Sequence, residues 1–331
     1  MYNSKNRNEF LGIDIGSSAI KAIKLKVVDS GIQLTDHGCV TFPTPAIKDG
    51  KIIDRKSIVD ALKSIKFLFS AEKQPENVCV SIPGVSTTTR FARLPEFSYR
   101  EFNKLLNSEA QTYCDPEKYT FSAKLLNEKE PDFSEANPVT KKCVMLLMAE
   151  KSMLGEYAET LQESGISCAN FSVDILASVK AFESACKKHA EGEENTGIIH
   201  VGAQTTNISV VKSGILIFTR SMQNDEEKIS PEKISFEARR SFDYFLEQSR
   251  ESKISRIILS GGPSSDEVFR QSIGKNLGIA IELGNPLEEI EITASDKAGI
   301  ISNIYQFPVA IGLALISVHA ATITRLNSGF F

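Results

Sequence analysis

Three glycine-containing turns follow directly on short apolar runs: Asp14-Ile-Gly-Ser-Ser18, His200-Val-Gly-Ala-Gln-Thr-Thr206 and Leu259-Ser-Gly-Gly-Pro-Ser264. A glycine at a strand end lets backbone N–H groups close on an anion, and adjacent Ser and Thr hydroxyls add donors. The chemistry on offer is therefore phosphate cradling. Gly16, Ser17 and Ser18 would supply it in the first turn, Gly202, Gln204, Thr205, Thr206 and Asn207 in the second, and Gly261, Gly262 and Pro263 in the third. Two such hairpins facing each other across a cleft would clamp a polyphosphate from both sides. One turn alone is only a tight turn; the set in this order carries the argument.

The elements that must hold these turns repeat. Phe10 to Gly16 reads as an apolar strand, Ala19 to Val28 alternates apolar residues with Lys21, Lys24 and Lys26, and after Asp29-Ser30-Gly31 the chain returns over Ile32 to Phe42. From Gly197 the pattern recurs, with a strand ending at Gly202, a return over Asn207 to Val211, a Lys212-Ser213-Gly214 turn and a third strand to Arg220. Gly16 and Gly202 stand 186 residues apart, as do Asp14 and His200. The spacing predicts a duplicated two-lobed α/β architecture.

Between the copies, Asn77 to Pro83 and Val85 to Leu94 read as strands. Ser98-Tyr-Arg-Glu101 has capping-box spacing ahead of a helix, and Tyr119 to Leu126 and Lys142 to Ala149 are further strands around a Pro-containing loop, Asn127 to Thr140. A helix over Met153 to Glu163, a strand over Ile166 to Val173 and a helix over Ile175 to Lys188 with Asp174 as its N-cap follow. The second meander is followed by helices over Ser230 to Ser249 and Asp266 to Leu277, with the strand Arg256 to Ser260 between them, and by an apolar helix over Phe307 to Val318.

Composition narrows the classes. The 331 residues are 41% hydrophobic and 24% charged, as in a folded soluble chain of two or three domains. A net charge of −4, from 38 basic against 42 acidic side chains, gives no basic face for nucleic acid. Four histidines argue against a His-rich metal enzyme, and six cysteines without a C-x-x-C pair read as reduced, buried thiols of a cytoplasmic chain. No apolar signal core follows Met1 to Glu9, and the stretch Phe307 to Ala321 is too short to span a bilayer. The signatures G-x-S-x-G, H-E-x-x-H and G-x-x-x-x-G-K-[ST] are absent.

A strand-D-x-G hairpin, a second hairpin near mid-chain and a strand-S-G-G turn before a helix together resemble the ribonuclease H-like, duplicated nucleotide-binding fold of actin, heat-shock chaperones and sugar kinases. Gly12 to Leu25, Ser81-Ile-Pro-Gly84 with Arg90 and Leu94-Pro95, Glu109-Ala-Gln111 with Tyr113, and Phe218-Thr-Arg220 narrow the resemblance to the PilM family of type IV pilus assembly proteins. The resemblance implies an actin-like fold whose first lobe holds 1–85 and 166–196 and whose second lobe holds 197–304. A small inserted partner-binding subdomain would occupy 86–165, and the C-terminal helix 305–331 would return to the first lobe. It implies ATP with Mg²⁺ in the cleft, Asp14 holding the hydrated metal. It also implies a peripheral place at the inner membrane, reached by docking the cytoplasmic N-terminal peptide of a PilN-like membrane protein.

Two departures bear on the nucleotide. His200 stands where the family's second phosphate motif carries Asp, and Mg²⁺ prefers oxygen ligands to imidazole. The second-lobe subdomain is reduced to Ser221 to Glu227 and a Lys228 to Lys233 link. ATP binding is then expected to be degenerate, in a scaffold that is at most a weak ATPase. Lys21 and Lys24 could meet phosphate, with Lys21 kept among the nucleotide contacts, although alternating lysines more often mark a solvated strand face. The alternatives are an active kinase of the same superfamily and a divergent cell-division actin homologue. A kinase needs a base and a second metal carboxylate. The division homologue needs a C-terminal amphipathic membrane helix, and Ala320 to Phe331 carries only Arg325 as a cation.

Overall fold

A computed structural model describes residues 8–65, 77–94, 99–126, 142–167, 170–188, 194–224, 229–249 and 253–328. The expected loop Asn127 to Thr140 and Cys168 lie outside these residues, as do residues 225–228 of the shortened segment. The chain divides into two compact units, one of Met1–Val85 with Ala158–Phe331 and one of Ser86–Tyr157.

Among the described residues the larger unit holds two large sheets and a two-stranded hairpin. Strands β1 (Glu9–Ile15), β2 (Ala19–Val28) and β3 (Gly31–Thr41) form an antiparallel meander, followed by a short hairpin, β4 (Ile47–Lys48) and β5 (Lys51–Ile52), helix α1 (Arg55–Ile65) and β6 (Asn77–Ile82). The smaller unit contributes β7 (Thr87–Leu94), α2 (Tyr99–Gln111), β8 (Tyr119–Leu126) and β9 (Lys142–Glu150). After α3 (Lys151–Ser164) come β10 (Asn170–Val173), α4 (Asp174–Ala181) and α5 (Glu183–Lys188), then a second meander of β11 (Asn195–Val201), β12 (Thr205–Lys212) and β13 (Ile215–Gln223). The chain ends with α6 (Pro231–Ser249), β14 (Ile254–Gly261), α7 (Glu267–Leu277), β15 (Ala280–Leu283), β16 (Ile290–Ile292), α8 (Lys297–Asn303) and α9 (Pro308–Ser328).

The first sheet runs β10-β6-β1-β2-β3-β16 and the second β13-β12-β11-β14-β15. Read from the meander outward, both place the three meander strands in reverse order and then add two parallel strands. The duplication reaches local detail. Gly16 N–H donates to the Ala19 carbonyl at 3.0 Å and Gly202 N–H to the Thr205 carbonyl at 2.8 Å. A register shift falls at Lys24/Leu25 in one meander and at Val210/Val211 in the other, again 186 residues apart. β16, by contrast, pairs with β3, so the chain re-enters the first sheet at Ile290, ahead of the expected boundary at residue 304.

Apolar residues of the sheets are buried under helices. Ile199, Val201, Ile208 and Val210 pack with Phe242 and Phe245 of α6 and Phe269, Ile273 and Leu277 of α7. Asp266 caps α7 by accepting from Val268 and Phe269 N–H. Phe10, Ile23, Leu25 and Leu34 pack with Ala310, Ile311 and Ala314 of α9, whose first two turns are apolar all round because they are core. α9 crosses α4 closely at Gly312, where an added Cβ would lie 1.7 Å from the Ala177 carbonyl oxygen. Among the described residues no single helix is long and apolar enough to cross a membrane.

Three local expectations are corrected. The helix expected over Ile175 to Lys188 breaks at Phe182, a fully buried ring seated against Gly284. Lys21 and Lys24 do not form a solvated face, because each reaches a carboxylate, Asp14 at 3.7 Å and Asp36 at 3.0 Å. Of the five described cysteines, only Cys79 and Cys186 are buried, while Cys39 is exposed at the far end of a meander strand.

Within the smaller unit, β9 lies between β7 and β8, antiparallel to both. One face of this sheet, with Ala92, Leu94, Val144 and Leu146, packs with Leu105 and Leu106 of α2.

Candidate functional site

At the end of β1, Asp14 is buried and held by three strands. Ser81 at the end of β6 donates from Oγ to Asp14 Oδ1 at 3.1 Å while accepting Ile15 N–H at 2.8 Å, and Lys21, register partner of Asp14 on β2, sits 3.7 Å from Oδ2. Burial raises the Asp14 carboxyl above its ordinary value, and Lys21 and the Ser81 hydroxyl oppose that rise.

The second copy repeats the arrangement with different chemistry. His200 at the end of β11 lies opposite Asn207 of β12, and its Nδ1 is 3.0 Å from Ser260 Oγ on β14. Thus His200, Asn207 and Ser260 occupy the places of Asp14, Lys21 and Ser81. Burial, reinforced by the Lys21 charge, lowers the imidazole to about 4, so it is neutral at pH 7. Asn207 accepts from Ser221 Oγ at 2.7 Å and hydrogen-bonds Asp174.

Asp174 is the residue that sequence reasoning set aside. It does not cap α4: Val173 is the N-cap residue, and Asp174 opens the first turn. Its Oδ1 accepts from Ile175 N–H at 2.6 Å and from Gly84 N–H at 2.9 Å. Burial pushes its carboxyl up to about 7, with the Asn207 hydrogen bond opposing and the nearby Asp14 charge adding to the rise. Gly84 admits this contact because any Cβ there would meet the Asp174 carboxylate, Ile175 and Ser221 within 3 Å. The Ser-Ile-Pro-Gly84 run therefore delivers both Ser81 and the Gly84 N–H to the two aspartates. The Ser-Ile-Pro-Gly84 motif is the feature of the sequence that signals these contacts.

Asp14, Gly16, Ser17, Asp174, Gln204 and Thr205 line one cavity of about 60 Å³, so the first two turns do face each other. Other expected residues have different places. Ser18 is exposed, and Gly202 belongs to the turn without lining the cavity. Thr206 and Asn207 are buried, their side chains spent on Asn224 and on Ser221 and Asp174. Gly261, Gly262 and Pro263 do not line the cavity; Gly261 has φ 100° and leaves no room for a Cβ beside the Val201 carbonyl. A larger cavity of about 460 Å³ lies elsewhere, walled by Lys180, Glu183, Lys187 and Glu288, whose charges are already paired.

A dedicated Mg²⁺ site does not fit this donor set. One of the two expected carboxylates is a neutral imidazole bonded to Ser260, and the other carries Lys21 as its cation. Among the described residues no cluster of three or more His, Cys, Asp or Glu is placed to hold a metal.

Two sheets of one strand order, with hairpin turns converging on a shared gap, define an actin-like protein. The family model of type IV pilus assembly protein PilM matches residues 12–234 and 228–318, and the chain belongs to that family. A solved chain of the PilM-PilN type IV pilus biogenesis complex superposes with a TM-score of 0.78 at 18% identity, covering 94% of this chain and 99% of that one. A Bacteroides thetaiotaomicron protein with an actin-like ATPase fold and unknown function scores 0.48 at 13% identity, over 86% of this chain and 94% of that one. The cytoplasmic domain of EpsL, an inner membrane component of the type II secretion system of Vibrio cholerae, scores 0.46 at 13% identity, over 90% and 94%.

Proposed function

We propose that the protein is a scaffold of type IV pilus, or type II secretion-like, assembly that docks the cytoplasmic N-terminal peptide of a PilN-like inner-membrane protein. It would act in the cytoplasm, held at the inner membrane through that partner. The observation that carries this reading is the family match over nearly the whole chain, joined to the shape shared with a chain of the PilM-PilN complex. The smaller unit supports it chemically. Its sheet ends in β7 and β8, neither of which pairs with a further strand among the described residues, and an open edge is what an extended peptide uses.

The two facing turns would take the phosphates of ATP, with Gly16, Ser17, Gln204 and Thr205 as contacts and Lys21 as the local cation. Because the donor set suits Mg²⁺ poorly, binding is weak and insensitive to the metal, and the nucleotide tunes closure and does not drive turnover. The test of the scaffold reading is a pull-down with the cytoplasmic N-terminal peptide of a PilN-like protein from the same organism. Capture well above a scrambled peptide is expected, and equal capture of both refutes the reading.

A further inference from the structure

The β4–β5 hairpin is tied to the first phosphate turn. Ala46 N–H donates to the Ser17 carbonyl at 2.9 Å and Phe42 N–H to the Ser18 carbonyl at 2.8 Å, so the segment bearing the hairpin hangs from that turn. Its two-residue loop is Asp49-Gly50, with φ 52° and 75°, the Asp-Gly pairing that a tight hairpin of this hand requires. Ile47 and Gly50 line the 60 Å³ cavity beside Asp14 and Thr205.

The second turn is tied just as firmly to the end of β13. Asn224 N–H donates to the Gln204 carbonyl at 2.8 Å, Asn224 Nδ2 to the Gly202 carbonyl at 2.9 Å, and Thr206 Oγ1 to Asn224 Oδ1 at 2.7 Å. The neighbouring residue, Gln223, donates from Nε2 to Asp49 Oδ1 at 2.7 Å. One side-chain hydrogen bond therefore joins two segments, each anchored to one phosphate turn.

We infer that Asp49 and Gln223 form a strap that sets the spacing of the two turns and must open before a polyphosphate can enter. The bound-anion part rests on the nucleotide reading above; the strap itself does not. A gap of about 60 Å³ is far below the ~300 Å³ at which small-molecule sites begin, so enclosing a polyphosphate between the turns requires them to separate. Asp49 and Gln223 are positioning residues: they act on the cleft through Ser17, Ser18 and Asn224.

The experiment uses the full chain with Gln223→Ala, Asp49→Gly and the double variant; glycine keeps the positive φ that alanine would strain. Hydrogen exchange is followed at the amides of Phe42, Ala46, Gly202 and Asn224 without ligand. Stopped-flow mixing with a fluorescent ATP analogue is followed separately. Either single variant is expected to raise exchange at both turns and to speed association about fivefold, the rate counterpart of about 1 kcal/mol for one hydrogen bond. The double variant should add nothing, because both changes remove the same bond. Exchange unchanged at either turn, or effects that add, overturns the strap. Faster exchange in a protein that takes up no analogue, with or without Mg²⁺, keeps the strap and refutes the nucleotide reading.

Discussion

Asp174→Asn is expected to make the protein more stable, by an amount set by pH. The carboxyl lies at about 7 against an ordinary 3.8, chiefly through burial. Holding it ionised in the fold therefore costs up to about 4 kcal/mol, and about 2–4 kcal/mol once solvent and backbone relax around it. Between these two values the folded chain keeps a proton that the unfolded chain has released. Stability consequently falls as pH rises from about 4 to about 7, and is level above that. Asparagine retains an oxygen for the Gly84 and Ile175 N–H groups and carries no charge. Urea unfolding of wild type and variant across pH 4 to 8 should give matching free energies at the acid end and a gap opening to the full value by pH 7. A gap that is constant with pH, or closes as pH rises, refutes the placement of Asp174 as a desolvated carboxylate beside Asp14.

Two further outcomes follow from the same contacts. His200 lies at about 4 against 6.5 in the open chain, so its contribution is lost as pH falls from about 6.5 to 4; His200→Asn should remove up to about 3 kcal/mol of that acid sensitivity, read from urea midpoints. If wild type and variant keep parallel acid profiles, His200 is not buried and neutral. Gly312→Ala forces a Cβ against the Ala177 carbonyl, a backbone contact that cannot swing aside; a loss of about 3 kcal/mol in a melting or denaturant series is expected. An unchanged midpoint would show that α4 and α9 do not cross this closely.

The meanders were legible because their signals are local. Alternation over Ala19 to Val28 and glycines at strand ends needed only adjacent residues, and the second copy doubled the signal. Even His200, the substitution that decides the metal question, could be found by counting from Asp14. What escaped was long-range pairing. Ser81 and Ser260 reach the strand-end residues across parallel neighbours that no local pattern announces. Asp174 looked like a capping residue because its true partner, Gly84, lies 90 positions away. Lys21 and Lys24 looked solvated because alternation reports which face a residue takes, not what waits there; Asp14 and Asp36 were waiting. β16, three residues long, carries too few residues to show which sheet it joins.

That late return of the chain has a consequence for synthesis. Phe10 in the first strand packs with Ala310, Ile311 and Ala314, which are made long after it, and the meander edge at β3 waits for Ile290–Ile292. A ribosome making this polypeptide in chain order exposes an apolar sheet well before the helix that covers it. The second meander with α6 and α7 is complete in sequence well before then. The half begun first is completed after the second, which makes the newborn strands of the first meander the part most in need of shelter from aggregation.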